Sequence, residues 1–257
     1  MNSMTNNGHE SIKNNNKNNY SGPHNVLITG GCGFIGSNFI NYIFDKWPSS
    51  KFINIDKLSV GASSDHVIPE VRKSGRYTFV QGSLLEQPLV ESLLKLYQID
   101  TVIHFAAITH VDESYSDRVG TIQENVISTT TLLEAINTHG QIKRFVHIST
   151  EINNLSRSWI YVDDCAEAIR LVTENGQNAQ IYNIGTDFEM CNINLNFNKI
   201  REELGWTCLV PFEEGLTKTL AYYLKVFIII SELNLKILVK EYNKLQLGLT
   251  KSERPYG

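Results

Sequence analysis

The chain has 257 residues, 42% of them apolar, and a formal net charge of −4. That is enough to bury one large domain or two small ones, and the acidic balance without any Lys/Arg cluster excludes a nucleic-acid-binding stripe. The four cysteines (Cys32, Cys165, Cys191 and Cys208) are scattered, which excludes a disulfide framework or a thiolate metal site and fits a reducing, cytoplasmic compartment.

The first twenty residues contain eight Asn and no apolar run. Nothing there reads as a secretory signal, and residues 1–24 are expected to be a disordered Asn-rich tail ending near Pro23. A strand follows at Val26-Leu27-Ile28-Thr29, apolar enough to be buried on both faces. It runs into Gly30-x-x-Gly33-x-x-Gly36 and then into residues 37–44, whose apolar residues have helical spacing. Strand, glycine turn and helix start together form a cradle for a dinucleotide pyrophosphate. Gly30 permits the tight turn, Gly33 lets the backbone approach the phosphates, and Gly36 lets helix and strand pack closely. The helix start offers free N–H groups and a partial positive charge to the anion.

The next strand, Lys51 to Asp56, ends in an acid about twenty residues past the last glycine. A carboxylate there accepts from the adenosine ribose hydroxyls and repels a 2′-phosphate, so NAD is expected over NADP. Lys57 beside it softens that preference without reversing it. A polar loop leads to a third strand at Tyr77–Gln81. Pro88 to Tyr97 reads as a helix opened by proline, and Thr101 to Ala107 as a strand ending in small residues. Val119 to His139 is a long helix, followed by a fifth strand from Arg144. Strands alternating with helices predict an α/β fold, a doubly wound parallel sheet with ligands at the carboxyl ends of its strands. Those ends carry the glycine loop, Asp56, Ser83 and Leu84, residues 106–110, and Ser149 to Glu151. Ala106 and Ala107 are small where a cofactor would pass, and Thr109, Thr150 and Glu151 can reach a sugar hydroxyl.

Several segments together resemble the extended short-chain dehydrogenase/reductase family, and within it the dTDP-glucose 4,6-dehydratase branch. They are Thr29 to Gly36, Asp56-Lys57-Leu58, His104 to Ala107, Thr109-His110-Val111-Asp112 and His147 to Thr150. Arg157 to Asp164, Ile181 to Thr186, Leu204-Gly205-Trp206 and Phe212 to Leu216 continue the match in family order. The resemblance implies a Rossmann-type sheet over residues 25–155, NAD as cofactor and a sugar nucleotide of the dTDP-glucose class as substrate. It assigns cofactor contacts to Gly30, Gly33, Phe34, Ile35, Gly36, Asp56, Lys57, Leu58, Ser83, Leu84, Phe105, Ala106, Ala107 and Thr109. Substrate contacts fall to Thr109, Thr150, Arg157 and Asn192, with Arg157 suited to a diphosphate. The family pairs as homodimers through two long helices, one of them matching Val119 to His139.

The sequence also departs from the family. Enzymes of this kind use a tyrosine, activated by a lysine four residues on, to take the C4 hydroxyl proton, and an Asp-Glu pair for the water elimination. Here Thr150 is followed by Glu151-Ile152-Asn153-Asn154, which leaves Glu151 as the candidate catalytic residue, able to stand in for either member of that pair. The only Tyr-x-x-x-Lys is Tyr42 to Lys46, on the helix after the glycine loop. Residues 156–225 therefore read as a truncated C-terminal substrate lobe, with a second gap after Asn192. Ser83 stands where the family usually has an aspartate. Residues 226–257 are an unassigned apolar and then polar tail. The readings are a dehydratase-like lyase with impaired activity, a non-catalytic nucleotide-binding remnant or incomplete gene product, and an epimerase-like member of the family. With the second pairing helix missing, Ile122, Val126, Leu133 and Ile136 are expected to lack cover, as is Val226 to Ile230.

Overall fold

Five short runs rich in β-branched and aromatic residues pair side by side, all parallel. They are β1 (Asn25–Thr29), β2 (Lys51–Asp56), β3 (Tyr77–Gln81), β4 (Thr101–His104) and β5 (Arg144–His147), in the order β3-β2-β1-β4-β5. The chain leaves β1 in one direction to build β2 and β3, then returns to build β4 and β5 on the other side. The switch point between β1 and β4 is where such sheets open a crevice for ligands. Thr29 stands level with Ile55 and with His104, so the three central strands end together at that rim.

A computed structural model of the chain describes residues 22–109, 115–149, 159–186 and 197–223. It divides into two units between Ser149 and Thr150. Of the tail expected over residues 1–24, residues 1–21 lie outside the described residues, as does the apolar segment from Val226 onward.

In the first unit both sheet faces are covered, the physical reason β1, β2 and β4 read as near-continuous apolar runs. On one face Leu27, Ile53, Ile55 and Val102 pack with Val90, Leu93 and Leu94 of α3 (Gln87–Leu96), and with Leu132 and Ala135 of α5 (Ser128–His139). On the other face lies α1 (Phe34–Ile43). There Phe39 packs against Trp47 and Phe105, and Trp47 stacks on Phe52. The proline expected to open α3 sits in its first turn.

The stretch after Asp56, expected to be loop, contains a 3-10 turn at Ser64–His66 and the short helix α2 (Pro69–Arg72). Buried Val67 and Val71 hold it down, a signal too short for periodicity to register. The helix expected over 119–139 comes in pieces: α4 (Arg118–Ile122), a π-helical turn at Gln123–Ile127, and α5. Four consecutive hydroxyls, Ser128 to Thr131, donate back to the carbonyls of Glu124, Asn125, Val126 and Ile127, every carbonyl of the wide turn after its first. Such back-bonding loosens the regular helical ladder. Ile122, Val126 and Leu133 are exposed as expected, but Ile136 is not part of that stripe, because it packs onto the α3–α5 core.

In the second unit, α6 (Val162–Asn175) opens with Asp163 and Asp164, which suit the positive end of a helix. Buried Ala168 packs with Trp206 and with Ile200 of α7 (Asn198–Leu204). The Trp206 indole N–H donates to the Asp164 carbonyl at 3.1 Å, and the Asp164 carboxylate accepts the Val210 N–H at 2.8 Å. Ile181 to Thr186 is irregular, and helix returns over residues 212–223.

Candidate dinucleotide site

The glycine turn joins β1 to α1 through close contacts that no side chain could share. Gly30 has φ +71°, and a Cβ there would lie 2.6 Å from the Ala106 nitrogen of the neighbouring strand end. Its N–H donates to Ile55 at 3.0 Å, and its carbonyl accepts from Gly33 at 3.2 Å. A Cβ on Gly36 would collide with the Gly30 carbonyl, so α1 starts pressed against the turn. At Gly33, the N-cap of α1, the nearest atom to a Cβ is 3.4 Å away. Among the described residues no side chain caps α1, and no acid lies in its first turn. The first N–H groups of a helix have no intrahelical acceptor, so the positive end of α1 is left for an anion. Phe34 and Ile35 are exposed at that end.

Asp56 is buried at the end of β2. Its carboxylate accepts from the Cys32 N–H at 2.9 Å and from the Leu58 N–H at 2.8 Å, fastening the glycine turn to the strand that carries the acid. Each carboxylate oxygen keeps a free lone pair for a ribose hydroxyl. Leu58 follows at φ +61°, strained for a side chain with a Cβ, at the point where the chain turns off the strand. Lys57 pairs with Glu124 of the π-helical turn at 2.9 Å.

At the end of β4, Phe105 turns its ring onto Phe39, while Ala107 and Thr109 are exposed at the rim. Leu84 is a core residue beneath α3 and Ser83 uses its hydroxyl to accept the Leu85 N–H at 3.2 Å, so both support the loop after β3. Thr150, Glu151, Arg157 and Asn192 lie outside the described residues.

Three polar side chains that brace the cradle, Asn54 and His104 buried and Asn125 partly so, carry no sequence motif of their own. Asn54, in the middle of β2, accepts the Gly31 N–H at 3.1 Å and donates to the Tyr77 hydroxyl at 2.9 Å. Burial pushes the Tyr77 phenol up to about 12. Asn125 clasps the Ile108 backbone from both sides, accepting its N–H at 2.7 Å and donating to its carbonyl at 3.0 Å. His104 bridges Thr29 at 2.6 Å and Thr129 at 3.0 Å. Because Thr129 already donates to the Asn125 carbonyl, the ring must donate through Nε2 and accept through Nδ1. Burial and the nearby His147 pull its pKa down to about 4, consistent with that neutral form. A polar residue inside an otherwise apolar strand, as in Phe-Ile-Asn54-Ile, is the signal that could have pointed to the first of these. Among the described residues no group of His, Cys, Asp and Glu is placed to hold a metal ion.

A parallel sheet ordered β3-β2-β1-β4-β5, a glycine turn under an uncapped helix and an acid closing β2 define a Rossmann-type dinucleotide cradle. Comparison with known proteins sharpens the class. Residues 27–153 match the GDP-mannose 4,6 dehydratase model and residues 153–185 the NAD dependent epimerase/dehydratase family. Over residues 27–185 the chain is therefore similar, stretch by stretch, to dehydratase and then epimerase domains, the first match taking in just under half of its length.

A trifunctional UDP-glucose 4,6-dehydratase of Arabidopsis thaliana is 40% identical over 129 residues, taking in 50% of this chain and 19% of the plant protein. The dTDP-D-glucose 4,6-dehydratase of Dictyostelium discoideum is 37% identical, covering 49% of this chain and 29% of that one. The chain thus spans less than a third of these relatives. The dTDP-D-glucose 4,6-dehydratase of Mus musculus is 25% identical over 318 residues, covering 79% of this chain and 89% of its own. An alignment of 318 positions drawn from 79% of a 257-residue chain leaves about a hundred positions of the mouse protein without a counterpart. In fold, the chain is similar to the dTDP-glucose 4,6-dehydratase of Bacillus anthracis, with TM-score 0.69, 21% identity and 79% and 97% of the two chains covered. Among the described residues no helix is long and apolar enough to cross a membrane.

Proposed function

We propose that residues 25–149 bind NAD, and that the chain is a relative of the dTDP-glucose 4,6-dehydratases in which cofactor binding is retained and dehydration is impaired. The observation that carries this reading is the uncapped N-terminus of α1, set over a turn whose Gly30 and Gly36 leave no room for a Cβ. The residues fit the cofactor. The α1 N–H groups at Phe34 and Ile35 suit its pyrophosphate, Asp56 its adenosine ribose, and the small Ala106 its passage over β4. Bound NAD supplies a hydride acceptor. The relatives' names support a sugar nucleotide of the dTDP-glucose class as the other ligand. Thr109, Thr150, Arg157 and Asn192 are its proposed contacts and Glu151 the proposed acid. Titrating the purified chain with each cofactor tests the reading: NAD is expected to bind tighter, and equal or tighter NADP binding overturns the role of Asp56.

The impairment rests on a specific observation. The one Tyr-x-x-x-Lys pair has Lys46 lying 4.7 Å over the Tyr42 ring. Tyr42 lies six residues past Gly36 along α1, about 9 Å away from the glycine turn. That placement supports a structural cation–π contact and not a base for the sugar. A cytoplasmic location belongs to the same proposal, as does loose association through exposed Ile122 and Val126 in place of the family's ordered pairing.

A further inference from the structure

Lys57 is the cation that adjoins Asp56, at the place where a positively charged residue accommodates the 2′-phosphate of NADP. By sequence alone it weakens discrimination against that phosphate. The structure gives its charge a partner: the ammonium lies 2.9 Å from a carboxylate oxygen of Glu124. Glu124 reaches it from the π-helical turn, where the next residue, Asn125, is clamped to the Ile108 backbone. The backbone that carries Glu124 is therefore anchored to the same rim as the cradle.

We infer that Glu124 is a specificity-determining residue for the cofactor: by holding Lys57, it withholds a cation from a 2′-phosphate. The inference rests on the NAD reading above and deepens it, because it assigns the NAD-over-NADP choice to two acids from different elements. The pair is partly exposed, with side-chain accessibilities of 37% and 22%, so its effect is modest. Releasing Lys57 is expected to change the ratio of dissociation constants, NADP over NAD, by about fivefold, equivalent to about 1 kcal/mol.

The test is to measure both dissociation constants by calorimetry for the full chain and for Glu124→Gln, Lys57→Met and the double variant, with thermal melting to show that each is folded. The ratio is expected to fall about fivefold in Glu124→Gln, and to return in the double variant because the freed lysine is then gone. Lys57→Met alone completes the cycle and is expected to raise the ratio, because the Glu124 charge is then unpaired; Glu124→Ala, measured alongside, is expected to give the same fall as Glu124→Gln and serves if that variant does not fold. A ratio unmoved by both Glu124→Gln and Glu124→Ala, a fall that persists in the double variant, or a fall in Lys57→Met overturns the inference while the NAD reading stands. A wild-type chain that binds neither cofactor overturns both.

Discussion

The Gly31 N–H donates to the Asn54 side-chain oxygen across 3.1 Å, and a Cβ on residue 31 would collide with that same oxygen. The glycine turn is thus locked to the middle of β2 by a residue that touches no ligand position. Gly31→Ala is expected to lower stability by about 1–3 kcal/mol through overpacking. Asn54→Ala is expected to cost a similar amount by orphaning the Gly31 N–H and the Tyr77 hydroxyl. Urea unfolding followed through buried Trp47 reads both, and an unchanged midpoint for either variant would show that the turn relaxes freely.

Asp56 does two jobs, anchoring Cys32 and Leu58 while facing the proposed ribose position. Asp56→Asn keeps one oxygen acceptor but removes the charge. Its NAD dissociation constant is expected to rise about tenfold, as for a lost charge-assisted hydrogen bond, while NADP binding changes less. Calorimetric titration checks the difference.

The chain is expected to form no measurable 4-keto-6-deoxy product from dTDP-glucose, because no tyrosine–lysine pair sits at the rim of the described sheet. Turnover at an ordinary enzyme rate of about 1 s⁻¹ or more would mean that another residue serves as base. Tyr161, with the Lys218 ammonium 5.1 Å from its ring centre, is the first to replace in that case.

His104 makes stability depend on pH. Its pKa is drawn down to about 4 in the fold, from an ordinary value near 6.5. The unfolded chain therefore binds the proton more readily. The contribution is complete above about pH 6.5 and is lost as pH falls from there toward about 4. Burial lowers His147 in the same direction. Between about pH 7 and about pH 5, His104 is expected to withdraw at most about 2 kcal/mol of unfolding free energy. His104→Gln, compared with the parent by urea unfolding at the two pH values, should flatten that loss.

The apolar residues on α4 and the π-helical turn lie open, Val119 at 68%, Ile122 at 56% and Val126 at 54% exposure. The purified chain is expected to bind a dye for apolar surface and to scatter light as an associating species. Replacing Ile122 and Val126 by Gln should reduce both signals without lowering the melting temperature. A monodisperse dimer with no dye signal would mean that this face is already covered in solution.

The local features of the cradle were legible in the residues themselves. An apolar run, glycines spaced by two residues, a helix start and an acid some twenty residues on are short-range features, and steric limits on φ and on Cβ leave them few conformations. The parallel, doubly wound class of the sheet followed from the alternation of strands with helices, whereas its order β3-β2-β1-β4-β5 did not, because right-handed crossovers also allow other orders and a closed barrel. What tertiary structure decided is which polar groups meet across long separations. Asn54 finds Gly31 and Tyr77, His104 finds Thr29 and Thr129, and Lys57 finds Glu124, sixty-seven residues further on. No periodicity encodes those meetings, because each depends on strand register and on where the helix widens. Lys57 shows the consequence: as a lone residue after Asp56 it reads as a cation free for a phosphate, and in the fold its charge is already held.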